Sequence, residues 1–162
     1  MKIQIRYAQI DDIADIQHVA QTTWHLTYKG IIPEQVQRNF LSIAYSDGNV
    51  RRRMERSLLL VAESEGEIVG FANFSKANTS HEAELWAIYV APEHQGKGIG
   101  SELIQRGLND LTGITCLFLN VERENHAGIA FYTSKGFSKV NDSEEAFNGY
   151  TLKTTRMVLN LV

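Results

Sequence analysis

The chain of 162 residues has one cysteine, two prolines and little excess of either charge, with 16 Lys and Arg against 19 Asp and Glu and a formal net charge of −3. Each shortage excludes something. A single cysteine allows no intrachain disulfide, and Cys116 lies in an apolar run, so it reads as a core residue rather than a nucleophile. A pI near 5.9 argues against the basic face of a nucleic-acid binder. The only basic run, Arg51-Arg52-Arg53 with Arg56, falls in an expected helix beside Glu55 and reads as a solvated face ahead of a phosphate-binding patch. No apolar run reaches membrane-spanning length, and Met1-Lys2-Ile3-Gln4-Ile5-Arg6 alternates like a strand without a signal-type apolar stretch, so a cytoplasmic protein with no membrane partner is expected. His18, His25, His81, His94 and His126 lack metal-ligand spacing, and no metal site is expected. With 43% hydrophobic residues and no repeats or linkers, residues 1–162 are expected to form one domain with an ordinary core.

Periodicity supplies the elements. Ile3, Ile5 and Tyr7 predict an opening strand. Asp11 or Asp12 can cap a helix carrying Ile13, Ile16, Val19, Ala20 and Trp24 on one face. Pro33 starts a second helical region reaching about Leu58, with an interruption expected at Asp47-Gly48-Asn49. Leu58–Glu63 and Ile68–Ser75 form a hairpin about Ser64-Glu65-Gly66-Glu67, and a strand follows near Ala83–Val90. A helix is expected from about Gly98 to Leu111. Ile114–Val121 is apolar on both faces, as a strand covered on both sides would be. Asn125–Ser134 is a short helix and Phe137–Val140 begins a strand. Asn148-Gly149 signals a last hairpin into Thr151–Leu161. The order predicts an α/β fold, a single-domain, mixed, twisted and mostly antiparallel sheet flanked by helices.

The most informative segment follows the third of these middle strands. Leu85–Ala91 is apolar, Pro92 breaks it, and Gln95-Gly96-Lys97-Gly98-Ile99-Gly100-Ser101 opens directly into an amphipathic helix. Glycines let the backbone approach a ligand, and the first N–H groups of a helix point at it, which makes an anion site suited to phosphate. A nucleotide P-loop would need Ser or Thr after Lys97, where Gly98 stands. The dinucleotide fingerprint would need a different last spacing and a place after the first strand. Gln95-x-x-Gly98-x-Gly100 instead resembles the acetyl-coenzyme A pyrophosphate loop of the GNAT N-acetyltransferases.

A second segment strengthens the likeness. Asn125-His126-Ala127-Gly128-Ile129-Ala130-Phe131-Tyr132, ending in Gly136-Phe137, is similar to the family's other cofactor element, and Asn125 and Tyr132, two helical turns apart, project from one face. Taken alone, these two residues also read as a helix cap and a core aromatic. The resemblance covers nearly the whole chain and implies the GNAT fold, with acetyl-CoA as co-substrate. It further implies that backbone groups of Ile88, Tyr89 and Val90 pair with the pantetheine arm, that N–H groups from Gln95 through Gly96, Lys97, Gly98, Ile99 and Gly100 to Ser101 hold the pyrophosphate, and that Asn125 bonds near the pantetheine. Lys97 reads equally as an exposed loop lysine.

The implied reaction is direct attack of a primary amine on the thioester. An alkyl amine with a pKa of about 10.4 costs roughly 4.6 kcal/mol to deprotonate at pH 7. Glu84, better placed than Glu82, matches the family's base, and a solvated strand residue is the competing reading. Tyr132 matches the general acid. A phenol near ~10 gives its proton to a thiolate near ~8.5 only uphill by about 2 kcal/mol, so a hydrogen bond to the developing charge suffices. A bulge near Ile88 would free a donor for the thioester oxygen. Trp24, Tyr28 and Tyr150, with His25, Tyr89 and Phe147 and the acids Asp142, Glu144 and Glu145, are candidates for the acceptor side, or serve as core and solvated turn. The acceptor is a small-molecule amine, a polyamine or a protein amine, and an exposed closing strand could pair across a homodimer. A non-catalytic acyl-CoA-binding module of the same fold is the alternative.

Overall fold

The computed structural model describes residues 2–147 and 149–161. Strands β1 (Ile3–Tyr7), β2 (Leu58–Ser64), β3 (Glu67–Phe74), β4 (Glu82–Val90), β5 (Cys116–Glu122), β6 (Ser138–Phe147) and β7 (Tyr150–Asn160) form one sheet in the order β1-β2-β3-β4-β5-β7-β6. Neighbours are antiparallel except β4 and β5, which run parallel. Helices α1 (Ile13–Tyr28), α2 (Glu34–Ala44) and α3 (Asp47–Arg56) cover one face, with Ile16, Val19, Trp24 and Val50 packed on Val61 and Phe71. Helix α4 (Ile99–Asp110) covers the other, with Ile99, Leu103 and Ile104 on Leu60, Phe74 and Leu117, and α5 (His126–Ser134) adds Phe131 and Tyr132 at that core's margin.

The helices on the first face depart from expectation in two places. The break falls at Tyr45-Ser46, before Asp47-Gly48-Asn49, because Ser46 caps α3 by accepting from the Asn49 N–H at 3.2 Å. Asp47 then sits in the first turn, where a negative charge is favoured. Three helices therefore separate β1 from β2 rather than two. Asp12 stands at the N-terminus of α1 but does not cap it. Its carboxylate takes the Gln9 N–H at 2.8 Å and the Arg6 guanidinium at 2.8 and 3.1 Å.

Strand β5 is covered on one face only. Leu117, Leu119 and Val121 are buried, whereas Cys116 and Phe118 are half-buried and Asn120 is exposed. The other face is shielded by a charge, since the Arg156 guanidinium lies 4.6 Å from the centre of the Phe118 ring. Cys116 consequently lies at the margin of the core, with Sγ 3.5 Å from Asn160 Oδ1. The closing hairpin pairs Phe147 with Tyr150, and Gly149 has φ +75°. The Asn148 half of the Asn-Gly signal lies outside the described residues.

Two features of β4 position the site. Its pairing with β5 covers only Glu82–Leu85 against Cys116–Leu119, so the two strands part beyond Leu85 and Leu119. Its pairing with β3 skips a residue, because Phe74 faces Leu85 and Asn73 faces Ala87. Trp86 is the extra residue of a β-bulge, which bends the strand and reverses its facing. Ala83 and Leu85 belong to the α4 side, Ala87 and Tyr89 to the α1 side.

Candidate active site

A cavity of about 550 Å³ fills the fork between β4 and β5. Its β4 wall includes Ile88, Tyr89 and Val90, whose outer backbone edge has lost its β5 partner. An extended ligand can take up that edge as an added strand would. Asn120 and Val121 form the opposite wall, and Trp24 and Tyr28 of α1 reach in from the covering layer.

The loop after β4 closes one end. Pro92–His94 form a single 3-10 turn, and Gly96 and Gly98 have φ +76° and +83°, a left-handed region that costs a side chain with a Cβ roughly 1–2 kcal/mol. Those two residues turn the chain into α4, whose N-terminus borders the cavity. The N–H groups of Gly96, Lys97 and Gly98 have no backbone acceptor among the described residues, and those of Ile99, Gly100 and Ser101 belong to the open first turn. Six consecutive donors around a helix N-terminus make an anion cradle. The Gln95 N–H is not among them, because it is spent on the Pro92 carbonyl at 3.3 Å. The Gln95 side chain instead ties the loop to the strand, donating to the Val90 carbonyl at 2.9 Å. Gly100 has a packing role, since a Cβ there would stand 3.0 Å from the Phe131 ring of α5. Lys97 is exposed and does not line the cavity.

Helix α5 supplies the remaining wall. Asn125 is its N-cap, accepting from the Gly128 N–H at 3.0 Å, and both it and Tyr132 line the cavity. Tyr132 packs edge-on against Phe131 and Phe137, at 5.5 and 5.8 Å between ring centres. Its hydroxyl has no hydrogen-bond partner among the described residues. Desolvation pushes its phenol above the ordinary value, and the nearby Tyr89 adds to the shift. Desolvation likewise raises the Tyr28 phenol, with smaller contributions from Tyr89, Tyr132 and the Glu122 carboxylate, which lies outside the cavity lining. Trp24 donates its indole N–H to the Tyr89 hydroxyl at 2.8 Å and stacks on Phe40 at 4.6 Å.

Two expected site residues, Glu84 and Tyr150, lie elsewhere, and Lys97 contributes its backbone N–H but not its side chain. Glu84 stands before the bulge, outside the cavity lining, with one oxygen 2.5 Å from Arg156 and the other accepting from the Trp86 indole at 3.3 Å. Tyr150 donates to the Ile31 carbonyl at 2.9 Å, latching the last hairpin to the loop after α1. Two acids of the edge strand β6 are paired, Asp142 with Lys139 at 2.7 Å and Glu144 with Arg123 at 3.8 Å, and Glu145 is exposed. His25 is exposed.

Other residues enter without having been foreseen. Thr23 and Thr27 line the cavity beside Trp24 and Tyr28, and their spacing of four on one helix was the available signal. His94 also borders it, with a buried Nδ1 that has no partner among the described residues. The bulge considered near Ile88 falls at Trp86, where no glycine or proline marks it in the sequence.

Residues 16–137 match the model of the Acetyltransferase (GNAT) family. The spermidine N(1)-acetyltransferase of Thermoplasma acidophilum is 31% identical over 152 residues, covering 89% of this chain and 92% of its own. The uncharacterized N-acetyltransferase YuaI of Bacillus subtilis is 29% identical over 156 residues, covering 93% and 89%. The crystal structure of PaiA N-acetyltransferase from T. acidophilum in complex with coenzyme A superposes with a TM-score of 0.86 at 26% identity, over 99% of each chain. The chain belongs to the acetyltransferase (GNAT) family. It is an acetyl-CoA-dependent N-acetyltransferase, an enzyme whose acceptors are amines.

Proposed function

We propose that the cavity holds acetyl-CoA with its pyrophosphate in the 96–101 cradle, its pantetheine arm along Ile88–Val90, and its thioester between the β4 bulge and Tyr132. The observation that carries this reading is the meeting of three things in one cavity: six unpaired backbone donors, an unpaired strand edge and a tyrosine hydroxyl without a partner. An amine entering from the α1 side attacks the carbonyl carbon. A backbone N–H beside the bulge steadies the oxyanion, the C–S bond breaks, and the products are an amide and coenzyme A. Tyr132 donates a hydrogen bond to the departing sulfur. Because burial raises its pKa, it acts as a donor that keeps its proton until solvent or the ammonium proton resolves the thiolate.

No carboxylate lines the cavity among the described residues, and Glu84 is engaged by Arg156 and Trp86. The amine therefore reacts as its free base, its proton leaving through water. The test is Tyr132→Phe. It should lower kcat by about 10²-fold, the usual worth of a positioned donor or acid, with the Kd for acetyl-CoA unchanged. An unaltered kcat removes Tyr132 from the mechanism, and a weakened Kd with kcat intact makes it a binding residue.

A further inference from the structure

Beside the donor cavity lies a second cleft, of about 420 Å³, between α2, α3 and the β4 bulge. The two share Trp86 and Tyr89, so the second opens at the point where the thioester carbonyl is proposed to lie. Its floor is aromatic, with Phe40, Tyr45 and the two shared rings. Its rim carries three guanidinium groups, Arg52, Arg53 and Arg56, and no carboxylate. None of the three has an ion-pair partner among the described residues. The basic run is thus one side of a cleft as well as a helix face.

Arg53 is fixed rather than free. Its Nε and one terminal nitrogen donate to the Ala44 carbonyl at 3.3 and 3.2 Å, and the other donates to Asn73 Oδ1 at 2.6 Å. Asn73 is fully buried within β3, faces Ala87 across the bulge, and spends its own amide on Ser57 Oγ and the Leu58 carbonyl. The guanidinium also lies 4.7 Å from the Tyr45 ring centre. Three of its five N–H groups are committed, and two remain for a ligand. A buried asparagine that holds a half-buried, unpaired guanidinium against the reaction site is a prepared anion receptor, and a planar fork of this kind suits a carboxylate.

We propose that this cleft binds the carboxylate of the acceptor, making the acceptor a small primary amine that also carries a carboxylate, an amino acid rather than a polyamine. The inference rests on the acetyl-transfer reading of the neighbouring cavity. Three unpaired guanidiniums repel a polycation such as spermidine, attract an anion, and leave the amine of a short amino acid to reach past Trp86 and Tyr89.

Thiol release from acetyl-CoA tests it with glycine, β-alanine, 4-aminobutanoate and L-phenylalanine, each against its own carboxamide, and with spermidine. At least one acid should exceed its amide tenfold or more in kcat/KM. Arg53→Gln and Arg56→Gln should remove that preference by raising KM tenfold or more with kcat little changed, while leaving the amides unaffected. Arg53 ties α2, α3 and β3 together, so if Arg53→Gln does not fold, the exposed Arg52→Gln and Arg56→Gln carry the test. Spermidine or the amides matching or exceeding every acid overturns the proposal while leaving the transferase intact. Thiol release from no amine at all would instead fail the transferase reading. Calorimetric titration of the same acids into the coenzyme A-loaded protein then decides the cleft separately: binding lost in Arg56→Gln sustains it, and no binding by any acid overturns it.

Discussion

A single side chain often answers two demands, and Arg6 shows how. Its guanidinium spans from Asp12 at the head of α1 to Glu63 on β2, at 2.8 and 2.9 Å, so it joins the first helix to the sheet. Asp12 is the more enclosed of the two acids, with 9% of its side chain exposed. The hydrogen bonds from Arg6, opposed by desolvation and aided by the Gln9 N–H, hold its carboxyl below the usual range. Its folded pKa is lower than its unfolded value of about 3.9, so its contribution is complete above that value and is lost as pH falls through the folded one. Denaturant unfolding followed from pH 7 to pH 2 should show stability declining below about pH 4. Asp12→Asn should cost about 1.5–3 kcal/mol at neutral pH and flatten that decline. An equal acid slope in the variant would place the titrating group elsewhere. Tyr132 shows the converse logic: its hydroxyl, without a partner among the described residues, contributes little to stability and is free to serve the role proposed for it.

At the scale of elements, the sheet's two faces meet their helices by different means. Helix α4 lies close to β3 because Gly107 has no side chain: a Cβ there would stand 2.2 Å from the Phe74 ring, and Phe74 is fully buried. Gly107→Ala should therefore cost about 1–3 kcal/mol by overpacking, in spite of alanine's better helix propensity, and a variant as stable as the parent would show that α4 can move away. The same element shows what a sequence can carry. Local signals were legible: the hairpin turn about Ser64-Glu65-Gly66-Glu67, the loop from Gln95, the cap at Asn125. So was the order of strands and helices, since alternation and period survive in each segment. Non-local facts were not. The reach of Arg156 to Glu84 joins β7 to β4 across β5, and the latch from Tyr150 to Ile31 spans most of the chain. Each engages an expected site residue outside the cavity lining through a partner that no local pattern names. Apolar composition likewise made β5 look covered on both faces, where a guanidinium over Phe118 does the covering. The closing strand β7 lies inside the sheet, and the edge strand β6 is exposed along almost its whole length and carries Lys139, Asp142, Glu144 and Glu145, charges of the kind that discourage edge pairing.

The whole molecule brings these parts to one place because the sheet splits. A parallel pair in an otherwise antiparallel sheet holds for four residues and then opens, and the bulge at Trp86 turns the β4 side chains toward the α1 layer just there. One mouth of the opening is lined by backbone donors, the other by arginines, and between them stand aromatic residues and no carboxylate among the described residues. That distribution fixes a pH dependence. On the proposed free-base reading, kcat/KM follows the free-base fraction of the amine, which rises tenfold per pH unit below the amine's own pKa. The logarithm of kcat/KM should climb with a slope near one from about pH 6 and bend only at a value that moves with the acceptor, near ~10.4 for an alkyl amine and lower for a less basic one. Tyr132 should add no falling limb below about pH 10, because desolvation raises its phenol and keeps the donor protonated. Glu84→Gln should leave slope and breakpoint in place. Two acceptors of different basicity settle the matter: breakpoints that track the acceptor sustain solvent as the proton's destination, whereas a common breakpoint near neutrality, abolished by Glu84→Gln, would return that role to the carboxylate and require Arg156 to release it during turnover.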